Sequence, residues 1–201
     1  MGSSMMPVTR ALLVACIAGY LLQAVLGDGV LLHFALWPVE NGLYAPPFRS
    51  WQLLTYAFLH GSLMHLAFNL YALYMFGSEI ERLLGGRRYL TYYGVCVLGA
   101  AAAQLLVAHL SHSDPRPTVG ASGGIFGLLL AFGLAFPNRR LMLLLPPIPM
   151  PAWLFVTLYG ALELILGATG SNTGVAHFAH LGGMAAGFLL IAYWRRLSAR
   201  R

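Results

Sequence analysis

Six apolar runs, at roughly 9–27, 62–78, 89–110, 122–136, 152–168 and 177–194, alternate along the chain with short polar or proline-rich stretches. A membrane-spanning helix needs about 20 apolar residues, and about 17 suffice. The pattern therefore predicts an all-α integral membrane protein of six transmembrane helices, with the fourth helix short by that standard. A further apolar run, Trp51 to Leu59, precedes the second helix. The connection at 28–61 is the longest, and its prolines and aromatics (Trp37, Tyr44, Phe48, Trp51, Tyr56 and Phe58) suit a segment lying in the membrane interface. Asp114-Pro115-Arg116-Pro117 signals a turn before the fourth run. Pro146, Pro147, Pro149 and Pro151 cannot continue a helix, so Leu141 to Leu145 reads as a short surface-lying piece.

Composition sharpens this picture. The chain has 201 residues, 59% hydrophobic and 9% charged, too little charge to cover a soluble domain. Its length suits one domain over 1–201, with a core of about 9–194 and no soluble accessory domain. Lysine is absent, so arginine sets the topology. With the N-terminus inside, arginines 10, 82, 87, 88, 139, 140, 195, 196, 200 and 201 fall inside and only Arg49 and Arg116 outside. That bias predicts an even number of spans with both termini cytoplasmic. The net charge of +6 is thus a topology signal; the arginines are scattered over helix ends and form no basic face for a nucleic acid. The first run lacks a cleavage site followed by a polar mature domain and reads as an uncleaved anchor. Cys16 and Cys96 fall inside predicted spans and read as small packing residues.

Polar side chains inside spans are costly and usually functional. Those at issue are His65, Asn69, Ser122, Glu163, His177 and His180. Counting ~1.5 Å per residue from the first arginine at the inner surface puts Ser122 ~25 Å up, seventeen residues before Arg139. His180, fifteen before Arg195, stands at ~22 Å; His65 and Asn69, seventeen and thirteen before Arg82, at ~25 and ~20 Å. In a hydrocarbon core ~30 Å thick these four groups share one layer just below the outer surface. A helix starting at Ser122 leaves its N-terminus beneath that surface, where irregular backbone is tolerated only around a protein-enclosed, watered cavity.

Ser122 sits in Gly120-Ala121-Ser122-Gly123-Gly124, where glycines permit a tight turn and close approach of a substrate backbone. Unpaired amides and the dipole at a helix N-terminus favour an oxyanion formed by attack of this serine. Serine needs a base, and His180 is placed to supply one. The spacing Gly183-xxx-Gly187 lets its helix approach a neighbour closely. Plainer readings exist: His65 and Asn69, at i, i+4, could hydrogen-bond between helices, and His177 with His180 could ligate zinc alongside His65 or His60. There is no HExxH, and the one carboxylate within a span, Glu163, stands on another segment. No metal or cofactor is expected, and Glu163 reads as a packing or gating residue.

Together Gly120-Ala121-Ser122-Gly123, His65-xxx-Asn69 within the run from His60, and Ala179-His180-Leu181-Gly182-Gly183-xxx-Gly187 resemble the signature set of the rhomboid family of intramembrane serine proteases. The resemblance covers roughly 9–194. It implies a Ser122–His180 dyad without an acid, in keeping with the lack of a suitable acid near His180. It implies an oxyanion hole formed by the Ser122 amide with His65 and Asn69, and supporting roles for Gly120, Gly123, Phe126, Gly183 and Gly187. It also implies an outward-facing cavity gated by the fifth span or the loop above it. The expected substrates are single-span membrane proteins cut near the outer membrane edge after a small residue, and the expected location is a bacterial inner membrane. Two departures stand out: Trp51-Gln52 replaces the Trp-Arg of many members, and Phe126 replaces a tyrosine that stacks on the catalytic histidine. With no cytoplasmic extension or seventh span in the sequence, the architecture expected is the minimal bacterial type.

Overall fold

Each of the six apolar runs is helical in the computed structural model, which describes residues 6–39, 45–111, 116–142, 147–169 and 176–199. Helix α1 covers Pro7–Leu26, and a second short helix, α2 (Asp28–Phe34), follows across Gly27. After α3 (Gln52–Thr55) and a 3-10 turn (Tyr56–Phe58), α4 (Leu63–Ala72) passes through a π-helical turn (Leu73–Gly77) into α5 (Ser78–Leu84). Then come α6 (Gly86–Ser111), α7 (Ser122–Ala135), α8 (Ala152–Ala168) and α9 (His177–Ser198). By length and composition α1 and α6 suffice to cross a membrane.

The prediction differs in one place. Arg140–Met142 (β1) pairs antiparallel with Pro149–Pro151 (β2), with Leu141 opposite Met150. The prolines that forbid a helix tolerate a two-stranded edge pairing, because an edge strand leaves backbone N–H groups unused. The first residues of the run Leu141 to Leu145 are therefore strand; residues 143–146 lie outside the described residues, as do Tyr44, the Asp114-Pro115 half of the expected turn and the last two arginines.

The core sits where α6, α7 and α9 meet. Most of α7 is buried, including Gly123, Gly124, Gly127, Leu128 and Phe132. Its 14 residues extend only ~21 Å, so it is the short central post that the sequence pattern requires. Backbones nearly touch at this junction: a Cβ on Gly183 would collide with the carbonyl oxygen of Gly123. Tyrosine hydroxyls tie the helices together, Tyr92 donating to the Gly127 carbonyl (2.7 Å) and Tyr56 to that of Val97 (2.8 Å). The outer faces are apolar, with Val25, Leu106, Ile165 and Leu189 more than half exposed, as in a protein solvated by lipid.

At the arginine-rich end, Glu81 is buried and accepts from the amides of Val8 (2.9 Å) and Thr9 (2.7 Å) and from the Thr9 hydroxyl (2.8 Å). It thus caps the start of α1, where free amides and the helix dipole favour a carboxylate. Glu79 bridges Arg82 and Arg139, each at 3.1 Å.

Candidate active site

Three local features hold Ser122 at the head of α7. Leu36 and Thr118 form an antiparallel bridge through both backbone hydrogen bonds, 3.0 and 2.9 Å, pinning the approach to the helix. The Gly120 amide donates to the Tyr56 carbonyl at 3.0 Å. Gly120 itself has φ +123°, a conformation that L side chains rarely adopt, and a Cβ there would lie 2.8 Å from Nε2 and Cε1 of His65. The first amide to enter the ladder of α7 is that of Ile125, bonded to Ala121. The amides of residues 122–124 therefore precede the helical pairing and stand at its positive end.

His180 reaches this point from the first turn of α9. Its Nε2 lies 2.8 Å from Ser122 Oγ. Phe126, one turn into α7, stacks on the imidazole with ring centroids 4.2 Å apart and planes 6° from parallel, so the departure from tyrosine keeps the stacking face.

Across the site, Ser62 caps α4 by accepting from the His65 amide (3.1 Å), which orients the helix that carries His65 and Asn69. His65 Nδ1 accepts from the Gly61 amide at 3.4 Å, so in the neutral ring the proton sits on Nε2, the nitrogen beside Gly120. Asn69 is buried and donates one amide hydrogen to the His65 carbonyl (2.9 Å), leaving a second. His65, Asn69, Gly120, Ser122, Gly123, Phe126 and His180 all line one cavity of about 1200 Å³, which runs on past Met75 and Phe76 to Leu141. Gly183 and Gly187 lie outside it, at the close contacts of α9 with Gly123 of α7 and Tyr92 of α6.

His60 stands behind His65, edge to face at 5.2 Å between ring centroids. The Gln23 side chain clamps its backbone, accepting from the amide (2.9 Å) and donating to the carbonyl (3.1 Å). Burial, reinforced by His65, pushes His60 down to about 4, so it is neutral at ordinary pH. Gln52 is fully buried: its carbonyl accepts from the Trp37 and Arg49 amides and its amide donates to the His33 carbonyl, all at 3.2–3.3 Å.

One expectation is overturned. An acid does lie beside His180: Glu163 Oε2 is 3.0 Å from its Nδ1 and 2.7 Å from Nδ1 of His177. The His177 contact is a hydrogen bond, whereas His180 approaches at ion-pair distance without full alignment. Glu163 packs at the junction of α8 and α9, where it pairs with these polar neighbours. Leu162 and Leu164 on either side of it are about half exposed, while Glu163 points inward. The available signal was His177 and His180 on one face of α9 with a lone carboxylate on the preceding helix; the phase of α8 was missing.

Chemically, the arrangement offers a serine hydroxyl with a base in hydrogen-bond reach, donors on the opposite wall and a chamber wide enough for a stretch of peptide. A family profile described as Rhomboid domain matches residues 47–197. The chain is similar to proteins named Rhomboid protease GlpG from Yersinia enterocolitica (30% identity over 94% of this chain and 62% of that one) and Serratia proteamaculans (30%, 94% and 62%). The same holds for that of Yersinia pestis strain Pestoides F (30%, 96% and 65%). The chain thus spans under two thirds of the length of these curated relatives.

Proposed function

The chain belongs to the rhomboid family, and on that premise we propose that it is an intramembrane serine endopeptidase with Ser122 as nucleophile and His180 as general base and acid. The observation that carries the reading is the 2.8 Å contact of Ser122 Oγ with His180 Nε2 at the head of a buried helix. Ser122 Oγ attacks the scissile carbonyl carbon while its proton passes to Nε2. The imidazolium then gives that proton to the leaving amine, and the acyl-enzyme remains. Water, deprotonated by the same nitrogen, attacks the ester and releases the acid and the free serine.

The oxyanion would meet the Ser122 amide, Nε2–H of His65 and the second amide hydrogen of Asn69. The orientation of His65 towards Gly120 supports that role. Six spans with both termini inside, in a bacterial inner membrane, accord with the arginine distribution and with the bacterial relatives. On that topology the chamber lies near the outer face, reached by single-span membrane proteins through the lipid-exposed helices.

The test is cleavage of a model single-span substrate by the purified protein in detergent, beside Ser122→Ala and His180→Ala. The reading expects cleavage lost in both variants with folding unchanged. Full cleavage by Ser122→Ala would refute it.

A further inference from the structure

Glu163 is the one carboxylate within the predicted spans, and it is buried between two histidines. An ionised carboxylate away from water is costly unless paired, so its partners explain its presence. Both partners meet the same oxygen, Oε2, through Nδ1. His177 and His180 stand one turn apart on α9, and Glu163 reaches them from α8 across the helix junction.

The carboxylate oxygen 3.0 Å from Nδ1, at ion-pair distance and off the N–H axis, biases which nitrogen of His180 carries the proton. Beside a carboxylate the neutral ring keeps its proton on Nδ1, which leaves the lone pair of Nε2 facing the Ser122 hydroxyl. In the reverse tautomer Nε2 would carry a proton and could take none from serine. The same carboxylate stabilises the imidazolium formed as serine attacks. His177 fixes the carboxylate through its 2.7 Å hydrogen bond, and Phe126 fixes the ring plane. Resting on the protease reading above, we infer that Glu163, anchored by His177, is a positioning residue that biases the tautomer of His180 and stabilises its imidazolium, so that the Ser122–His180 pair of this chain works beside a buried acid.

The experiment measures kcat and KM for a single-span substrate with wild type, Glu163→Gln, Glu163→Asp and Ser122→Ala, together with thermal unfolding of each. The expected result is a kcat lowered by about 10- to 100-fold in Glu163→Gln, since a charge-assisted contact is removed from the transition state. KM stays within about twofold, because substrate does not touch the carboxylate. Unfolding of the variant stays near wild type, and Glu163→Asp recovers part of the lost kcat. Wild-type kcat in Glu163→Gln overturns the inference and leaves the protease reading standing. So does a loss of activity that only parallels a loss of thermal stability, because that is a packing role. Wild type without activity, or Ser122→Ala with it, defeats the protease reading and this inference with it. Should Glu163→Gln not fold, Glu163→Asp decides: its arm is one methylene shorter, so the inference expects a several-fold lower kcat at unchanged KM, and wild-type kcat refutes it.

Discussion

Phe126 lies flat on His180, its ring centroid 4.2 Å from that of the imidazole and the two planes 6° apart. This contact holds the ring that faces Ser122. Stacked aromatic pairs contribute about 0.5–1.5 kcal/mol beyond burial. Phe126→Tyr keeps the face and is expected to cleave substrate at close to the wild-type rate. Phe126→Ala frees the ring, and kcat should fall by up to about tenfold. A kcat series on the two variants checks this; equal rates in both would mean that the stack holds nothing in place.

Glu81 joins the start of α1 to α5 through three hydrogen bonds, two from backbone amides and one from the Thr9 hydroxyl. Glu81→Gln keeps the shape but turns an amide towards these donors. Hydrogen bonds to charged groups contribute about 1.5–3 kcal/mol each, so a loss of roughly 2–3 kcal/mol is expected. The site lies far along the bundle, so kcat of the folded fraction should hold. Thermal or denaturant unfolding beside kcat separates the two effects.

The sequence revealed what depends on the identity of successive residues. Apolar runs bounded by Gly, Pro or Arg located every long helix to within a few residues, because length and breakers are local properties. The start of α7 at Ser122 was legible for the same reason: glycines and the polar stretch before them forbid an earlier start. The pairing of Glu163 with His177 and His180 was not legible, because α8 is apolar on nearly every side and its periodicity does not say which way residue 163 points. The capping role of Glu81 was hidden likewise, since its partners stand more than 70 positions away. Pairing of β1 with β2 was not legible either, because three-residue strands are too short to show an alternation and their partner is set by the fold.

Buried His60 makes stability depend on pH. Its folded value of about 4 lies below the ordinary histidine value of about 6.5. Between those two values the unfolded chain holds the proton and the folded chain does not, so stability is fully present above pH ~6.5 and is lost as pH falls towards ~4. The amount at stake is up to about 3 kcal/mol. His60→Gln cannot take up a proton, so the slope of stability against pH in this window should flatten. Denaturant unfolding across that range measures it, and an unchanged slope would assign the acid sensitivity to other groups.

Gly183 and Gly94 give opposite expectations for the same substitution. Gly94, in the middle of α6, has nothing within 4 Å of an added Cβ. Replacing glycine by alanine inside an open helix gains about 0.5–1 kcal/mol from backbone entropy, and Gly94→Ala should be more stable by that amount. Gly183→Ala gains the same propensity but drives its methyl into the Gly123 carbonyl, with the Cys96 carbonyl also near, at 3.4 Å. Backbone atoms on two packed helices cannot swing aside as a flexible side chain would, and overpacking costs about 1–3 kcal/mol. The clash outweighs the propensity, so Gly183→Ala should be the less stable of the two. The shift should also reach the chemistry: Gly183 is three residues after His180, and Gly123 is next to Ser122. Pushing these backbones apart lengthens the 2.8 Å contact between serine and histidine. A melting curve and kcat for each variant test the comparison. Gly94→Ala should melt higher with kcat unchanged, and Gly183→Ala lower with kcat reduced even where it is fully folded.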